Sequence, residues 1–293
     1  MSTYLNVQRQ YLAGFVNSIM ALTDQALITA TPEGLQFAGV DARFVAMVSS
    51  TLDKQGCEDY HTQEMPLEAG CGPRLNDHFA ALLEDLEGRL DLPYSGQPKM
   101  GPAAYGVDLE RFKAMFLKGG NPMDTLRMTF SDDGKSLQVS YPITRQGDRA
   151  TMTMELLSKE GFRVPLRPRM NLLGTFVVNT ESFFAAVAAV GQISDNVTIT
   201  HESGQVTLSA VECDANNKVV VPIGHSYTGP QGHVHSKFPI EYMSSMAKTL
   251  RGFKQIRVAF DTDKPCSMTA KVLTAQGQPA VTVEYLLAPQ YCE

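Results

Sequence analysis

Two groups of side chains in this sequence have the chemistry to hold a metal ion: His225, His233 and His235, and Cys57, His61 and Cys71. Imidazole and thiolate are the ordinary ligands of zinc, but neither group has the short paired spacing of a zinc site, so no metal is expected. The cysteines are five in number (Cys57, Cys71, Cys213, Cys266 and Cys292), an odd and scattered set that suits reduced thiols better than a disulfide framework. No phosphate-binding loop, dinucleotide fingerprint or nucleophile elbow occurs, which argues against an enzyme and against a bound cofactor. The chemistry that remains is cationic. On the segment Asp108–Lys118, Leu109, Phe112 and Phe116 mark an apolar face, and at about 100° per residue Arg111 and Lys118 fall about 20° apart on the opposite face. Lys113 lies nearer the edge of the apolar stripe.

The elements that must carry these cations are helices with one buried stripe. Val7–Leu22 has Tyr11, Leu12, Phe15, Val16 and Ile19 at helical spacing, with Gln10, Ala13 and Asn17 outward and Arg9 beside them. Asp108–Lys118 is stopped by Gly119-Gly120. Glu181–Val190 is opened by Asn179 and Thr180 and shows mostly alanine outward. Pro239–Arg251 buries Ile240, Met243, Ala247 and Leu250, which leaves Lys248 opposite, accompanied by Ser244, Ser245 and Glu241, with Arg251 at the flank. A solvated helix face explains any single lysine, but cations on equivalent faces of two helices suit a surface that meets a phosphate backbone.

The equivalence comes from an internal repeat. Ile28-Thr29, the Gly34 turn, Leu35-Gln36-Phe37 and Val40-Asp41 recur as Ile199-Thr200, Gly204, Val206-Thr207-Leu208 and Val211-Glu212, an offset of 171 from Ile28 to Ile199. Leu126–Phe130 and Asp133 recur as Ile256–Phe260 and Asp263, an offset of 130. The change of offset places an insertion of about 41 residues in the first copy, over about 65–104, with its own amphipathic helix through Leu75, Phe79, Leu82, Leu83, Leu86 and Leu90. Packing of that helix on its own domain is the simpler reading, and docking of a partner is the alternative.

Each copy reads as helix, strand pair, helix and further strands. Strands are expected at Leu126–Phe130, Leu137–Tyr141, Ala150–Leu156, Thr175–Val178, Val197–Thr200, Val206–Leu208, Lys218–Val221, Ile256–Phe260, Ser267–Leu273 and Ala280–Leu286. Helices without strict alternation with strands give an α+β fold with antiparallel sheets. The domains are expected at 1–157 and 171–293, joined by an extended connector over 158–170 that holds Pro165 and Pro168. A length of 293 residues suits two domains, and 43% apolar with 19% charged residues is globular composition. Without an 18-residue apolar stretch or a basic-then-apolar start, the chain is expected to be intracellular and free of membrane segments. The net charge of −6 argues against a generally basic nucleic-acid binder.

Four segments resemble proliferating cell nuclear antigen, the DNA sliding clamp of eukaryotes, archaea and some viruses. They are Gly34-Leu35-Gln36-Phe37 with Val40–Val48, Gly106-Val107-Asp108-Leu109, Phe238-Pro239-Ile240-Glu241-Tyr242, and Val283-Glu284-Tyr285-Leu286-Leu287-Ala288-Pro289. The resemblance implies a duplicated clamp domain and a homotrimeric ring of six domains, with helices lining a central hole and sheets outside. It implies a processivity factor that encircles double-stranded DNA without sequence specificity and tethers DNA polymerase, a clamp loader and other partners. Its place would be at replicating DNA, in the nucleus of a eukaryote or the cytoplasm otherwise. DNA would then meet Arg9, Arg111, Lys113, Lys118, Lys248 and Arg251, and an acidic exterior would keep DNA off the outer surface.

By the same resemblance, partner peptides would dock in a pocket of Val40, Phe44, Val45, Met47, Phe162, Val164, Pro265, Leu286, Leu287, Ala288 and Pro289. Core packing is the rival role for Val45 and Met47, whereas Phe162 and Val164 sit in a polar connector. The strand Ala150–Leu156, with Met152 and Met154, would pair with Asn217–Val221, with Val219 and Val221, of the next subunit. Three features depart from the family: the basic connector residues Arg163, Arg167 and Arg169, the helix Glu181–Val190, which lacks cations, and the insertion. A subunit of a heteromeric checkpoint-type clamp and a replication scaffold that forms no ring are the alternatives.

Overall fold

The structure is a computed structural model and describes residues 3–62, 64–66, 100–143, 148–160, 162, 170, 172–211, 217–224, 226–229 and 232–290. Its elements form two series. The first is β1 (Tyr4–Gln8), α1 (Arg9–Met20), β2 (Gln25–Thr31), β3 (Gly34–Val40), β4 (Ala46–Asp53), β5 (Cys57–His61), β6 (Glu64–Pro66), β7 (Met100–Asp108), α2 (Leu109–Phe112, extended by a π-helical turn over Lys113–Leu117), β8 (Thr125–Phe130), β9 (Ser136–Pro142) and β10 (Arg149–Glu155). The second is β11 (Gly174–Asn179), α3 (Thr180–Val190), β12 (Asn196–Glu202), β13 (Gln205–Val211), β14 (Lys218–Gly224), β15 (Val234–Pro239), α4 (Ile240–Leu250), β16 (Gln255–Phe260), β17 (Cys266–Leu273) and β18 (Pro279–Leu287).

The two series keep the spacing of the sequence repeat. The starts of α1 and α3, of β2 and β12, and of β3 and β13 are each 171 residues apart, while those of β8 and β16 are 130 apart. The spacing changes between β4 and β7, where β6 and β7 pair antiparallel with Pro66 opposite Met100. The inserted helix expected over Leu75–Leu90 lies outside the described residues.

By its contacts the chain forms two compact units, one of Met1–Val40, Ser50–Arg169 and Leu273–Val281, the other of Asp41–Ser49, Met170–Val272 and Thr282–Glu293. In the first unit β10, β9, β8, β1 and β5 form an antiparallel sheet in that order, and β2 lies between β3 and β7. Period-2 burial fixes the register: Leu5 and Val7 on β1, Ala26, Ile28 and Ala30 on β2, and Leu126, Met128 and Phe130 on β8 all face inward. They meet Leu12, Phe15, Val16 and Ile19 of α1 and Leu109, Phe112 and Phe116 of α2 in one apolar core. The buried Tyr105 ring stacks on Phe130 with centroids 4.1 Å apart, and its hydroxyl donates to Thr3 Oγ1 at 2.9 Å.

The second unit repeats the plan. Its sheet runs β14, β13, β12, β15, and β11 pairs with β16 and β16 with β17. Phe183, Val187 and Val190 of α3 and Met243, Met246, Ala247 and Leu250 of α4 are buried. Asn179 caps α3 by accepting from the N–H groups of Glu181 and Ser182.

The helix expected to begin at Val7 begins at Arg9. Val7 is a buried strand residue opposite Leu126 and Cys57, and no side chain caps the helix. The carbonyls of Asp124 and Pro122 take the N–H groups of Arg9 and Gln10 at 2.8 and 2.9 Å, so a distant loop does the work of a local cap. That loop reverses at Gly119 and Gly120, both with φ of +77°. A side chain at Gly120 would also strike the Arg9 guanidinium.

Candidate functional site

The outward helix faces carry cations unevenly. Arg111, Lys113 and Lys118 are all exposed, whereas their helix turns Leu109, Phe112 and Phe116 into the core. Lys113, expected near the apolar edge, is freed by the π-helical turn, in which the Lys118 N–H reaches the Lys113 carbonyl at 3.0 Å. Lys248 on α4 is exposed and makes no ion pair among the described residues. Arg9 does not belong to this surface. It is 7% exposed, pairs with Asp124 at 3.5 Å and donates to the Gly119 carbonyl, so it fastens the loop after α2. Arg251 is exposed but held: its Nε lies 3.1 Å from both Glu181 carboxylate oxygens, its Nη2 3.0 Å from Oε2, and its guanidinium 4.4 Å above the Phe184 ring.

A second feature lies wholly in the second unit. Asp41 is a 6% exposed carboxylate that accepts from the N–H groups of Arg43, Val45 and Ala46 at 2.9, 2.8 and 2.7 Å and from the Tyr242 hydroxyl at 2.5 Å. Burial, then the carboxylate itself, pushes the Tyr242 hydroxyl from 10.0 up to about 12, so it remains a donor at neutral pH. Arg43 adds an ion pair to Glu241 at 2.8 Å. The loop around Asp41 is thereby pinned to the first turn of α4. Phe44 sits at its tip with φ of +59°, a left-handed conformation costly for an aromatic residue, and is 38% exposed. The chain after β18 runs beside this loop: the Ala288 N–H donates to the Val45 carbonyl at 2.9 Å, and the Gln290 N–H to the Lys237 carbonyl at 2.8 Å. Lys264, next to Pro265, offers its carbonyl to Ser236 Oγ at 3.2 Å, so β15 anchors both segments.

Among the described residues six strands end a sheet, β5, β6, β10, β11, β14 and β15, and two of them bear on assembly. β10 ends one sheet and β14 another, each seven residues long with alternating exposure. Their counterparts in the repeat, β18 and β4, are hydrogen-bonded neighbours. These run antiparallel, with Val45 against Ala288 past one end in the second unit and Gly56 against Ala280 at the other in the first.

No family model matches the sequence. The DNA polymerase sliding clamp of Methanosphaerula palustris is 21% identical over 277 residues, covering 94% of this chain and 93% of the relative, and that of Methanococcoides burtonii is 22% identical over 276 residues with the same coverage. Among solved structures, A. fulgidus PCNA bound to the C-terminal region of FEN-1 superposes with a TM-score of 0.75 at 19% identity, covering 99% of each chain. PCNA from Entamoeba histolytica gives 0.75 at 13% identity, covering 99% of this chain and 100% of the other. The chain is a homologue of the sliding clamps. Its α+β architecture, duplicated with antiparallel sheets, is the clamp fold.

Several residues that the resemblance assigned to partner docking are clamp core instead. Met47, Leu286 and Leu287 are 4%, 7% and 0% exposed because β4 and β18 are interior strands of a sheet. Val40, Val45, Pro265, Ala288 and Pro289 are half-buried, and Phe44 is the exposed member. Phe162 is half-buried in the first unit, its N–H donating to the Lys159 carbonyl at 3.3 Å, and Val164 lies outside the described residues with Arg163, Pro165, Arg167 and Arg169. On the edges, Met152, Val219 and Val221 are half-buried, but Met154 is 0% exposed and packs into its own domain.

Sequence reasoning alone misses the roles of Asp41, Tyr242 and Glu181. Asp41 has a readable signal, an Asp at a strand end that caps backbone donors two to five residues on, whereas the Tyr242 and Glu181 contacts are long-range. Burial pushes the Cys57 and Cys266 thiols up to about 12, away from the thiolate that reacts or binds metal. His61 stacks on Tyr4, His235 is exposed on β15 with the exposed His233 just before that strand, and His225 and Cys71 lie outside the described residues. No group of three metal-ligating side chains occurs among the described residues.

Proposed function

We infer that this chain is a DNA polymerase processivity factor, a clamp whose copies close into a homotrimeric ring around duplex DNA. The observation that carries the reading is the pair of edges. β18 and β4 are hydrogen-bonded neighbours, and their repeat counterparts β10 and β14 each end a sheet with one side free, so repeating that strand pairing between chains joins β10 of one to β14 of the next. Two repeats per chain make three copies a ring of six domains, the arrangement the resemblance implies. Closure pairs both of these edges, which an isolated chain would leave as an aggregation hazard. The helices α1 to α4 then line the hole, and weak, sequence-blind phosphate contacts align the DNA while topology retains it.

The partner surface is supported by the exposed Phe44 on its pinned loop, beside Ala288 and Pro289. The relative solved with the C-terminal region of FEN-1 shows that a clamp of this fold takes a peptide. Nothing in this role calls for catalysis. The assay is polymerase product length on primed circular DNA with clamp and loader supplied. Longer products are expected, and unchanged length at saturating clamp overturns the reading.

Charge reversal of Arg111, Lys118 and Lys248 together is expected to weaken DNA association equally on unrelated sequences. The slope of log K against log salt should fall by about 0.9 for each phosphate no longer neutralised. Retained affinity with an unchanged slope would mean that these faces do not meet DNA. Size-exclusion chromatography with light scattering tests assembly separately, with three times 32.1 kDa expected.

A further inference from the structure

The second unit offers DNA fewer cations than its sequence suggests, and the reason is a carboxylate on the same face. α3 and α4 pack against each other, which brings Glu181 in the first turn of α3 to Arg251, the residue that caps α4. The contact is bidentate, at 3.0 to 3.1 Å, and the guanidinium is further seated over the Phe184 ring. Both partners remain open to solvent, Arg251 at 47% and Glu181 at 59% exposure of their side chains. An exposed pair of this kind is weak in water. A guanidinium fork takes a phosphate in the same geometry as a carboxylate, so DNA brought near this face competes with Glu181 for one and the same donor set. The remaining outward residues of α3 are small or polar, Ser182, Ala185 and Ala188, and supply no substitute cation.

We propose that Glu181 is an internal competitor for the DNA backbone that withholds Arg251 from phosphate and so sets how tightly the second domain grips duplex. The inference rests on the reading that these helices face DNA. The grip is then uneven around the ring. Arg111, Lys113 and Lys118 hold the duplex through the first domain, while the second contributes Lys248 and keeps Arg251 in reserve. A clamp that must slide gains from this, because each additional phosphate contact adds friction as well as affinity.

The test uses the full-length chain, a fluorescent duplex oligonucleotide of arbitrary sequence, and anisotropy titrations from low to moderate salt. Glu181→Gln keeps the side-chain size and is expected to tighten binding about three- to ten-fold at low salt. The salt slope should steepen by about 0.9 for each further phosphate neutralised. Simple removal of a negative charge would also tighten binding, so the deciding variant is Glu181→Gln combined with Arg251→Gln. If Arg251 is the cation that Glu181→Gln releases, the double variant returns the slope to the wild-type value. If Glu181→Gln leaves affinity and slope unchanged, or the double variant stays as tight as Glu181→Gln alone, the inference is overturned. The reversal of Arg111, Lys118 and Lys248 runs alongside. Should that reversal also change nothing, the DNA-facing reading has failed; should it weaken binding while Glu181→Gln changes nothing, the role given to Glu181 alone has failed.

Discussion

Val219→Glu is expected to convert the ring into single chains and to reduce polymerase product length to that seen without clamp. Val219 lies on edge strand β14, half-buried against its own unit, and a subunit seated on that edge would complete its burial. A carboxylate there remains hydrated in the free chain but loses its water on assembly without a partner. An uncompensated buried charge costs about 3–5 kcal/mol, or roughly a thousand-fold in association at each interface. The antiparallel register carried over from β4 and β18 puts Glu155, at the end of β10, toward Lys218, at the start of β14. Opposite charges at that end favour the intended register, although an exposed pair adds little energy. The measurement is mass by light scattering, with thermal unfolding as the control. A fall from three times 32.1 kDa to 32.1 kDa, with the unfolding transition kept, is the expected pattern. A Val219→Glu protein that still runs as the trimer and still supports long products would place the interface elsewhere.

What the sequence disclosed is what local periodicity and repetition can encode. The apolar stripes of Tyr11–Ile19, Leu109–Phe116 and Met243–Leu250 fixed the helices, because burial at a period of about 3.6 has no other common source. The offsets 171 and 130 disclosed the duplication and the insertion, and the spacing of structural elements follows both. Other features depended on partners far along the chain. Val7 continues an apolar pattern that fits helix or strand, and its pairing with Leu126 decides for strand. Arg9 sits on an amphipathic helix like any outward cation, yet the loop ending at Asp124 encloses it. Met47, Leu286 and Leu287 belong to segments that the resemblance assigns to the partner pocket, but adjacent strands cover their side chains. The π-helical turn that exposes Lys113 leaves no compositional trace in Lys113–Leu117. Contacts of this kind are set by tertiary packing, which propensity does not record.

The second large effect is expected at Asp41. Its carboxylate gathers three backbone N–H groups and the Tyr242 hydroxyl, and with them it holds Phe44 in a left-handed conformation that the residue would otherwise leave. Asp41→Ala removes the acceptor and strands four donors, each worth about 1–3 kcal/mol when desolvated. Some of them regain water once the loop opens, so a net loss of about 2–4 kcal/mol in stability is expected. Because Phe44 no longer has an enforced direction, affinity for a consensus clamp-binding peptide should fall about 10- to 100-fold. Tyr242→Phe is the finer probe. It deletes one donor to a charged acceptor, a loss of about 1.5–3 kcal/mol, and leaves the three backbone bonds in place. Burial, then the Asp41 carboxylate, pushes the wild-type hydroxyl from 10.0 up to about 12. Its folded pKa is raised, so its stabilisation is fully present below pH 10 and is lost as pH rises through about 12. Peptide affinity of the wild type should therefore stay level up to pH 10, and Tyr242→Phe should be weaker throughout that range. Calorimetric titration of the peptide against the wild type, Asp41→Ala and Tyr242→Phe, with Phe44→Ala as the reference for a lost anchor, measures all of this. Equal affinity for the wild type and Asp41→Ala would show that the loop does not present Phe44 to partners, and the docking surface would have to be sought away from α4.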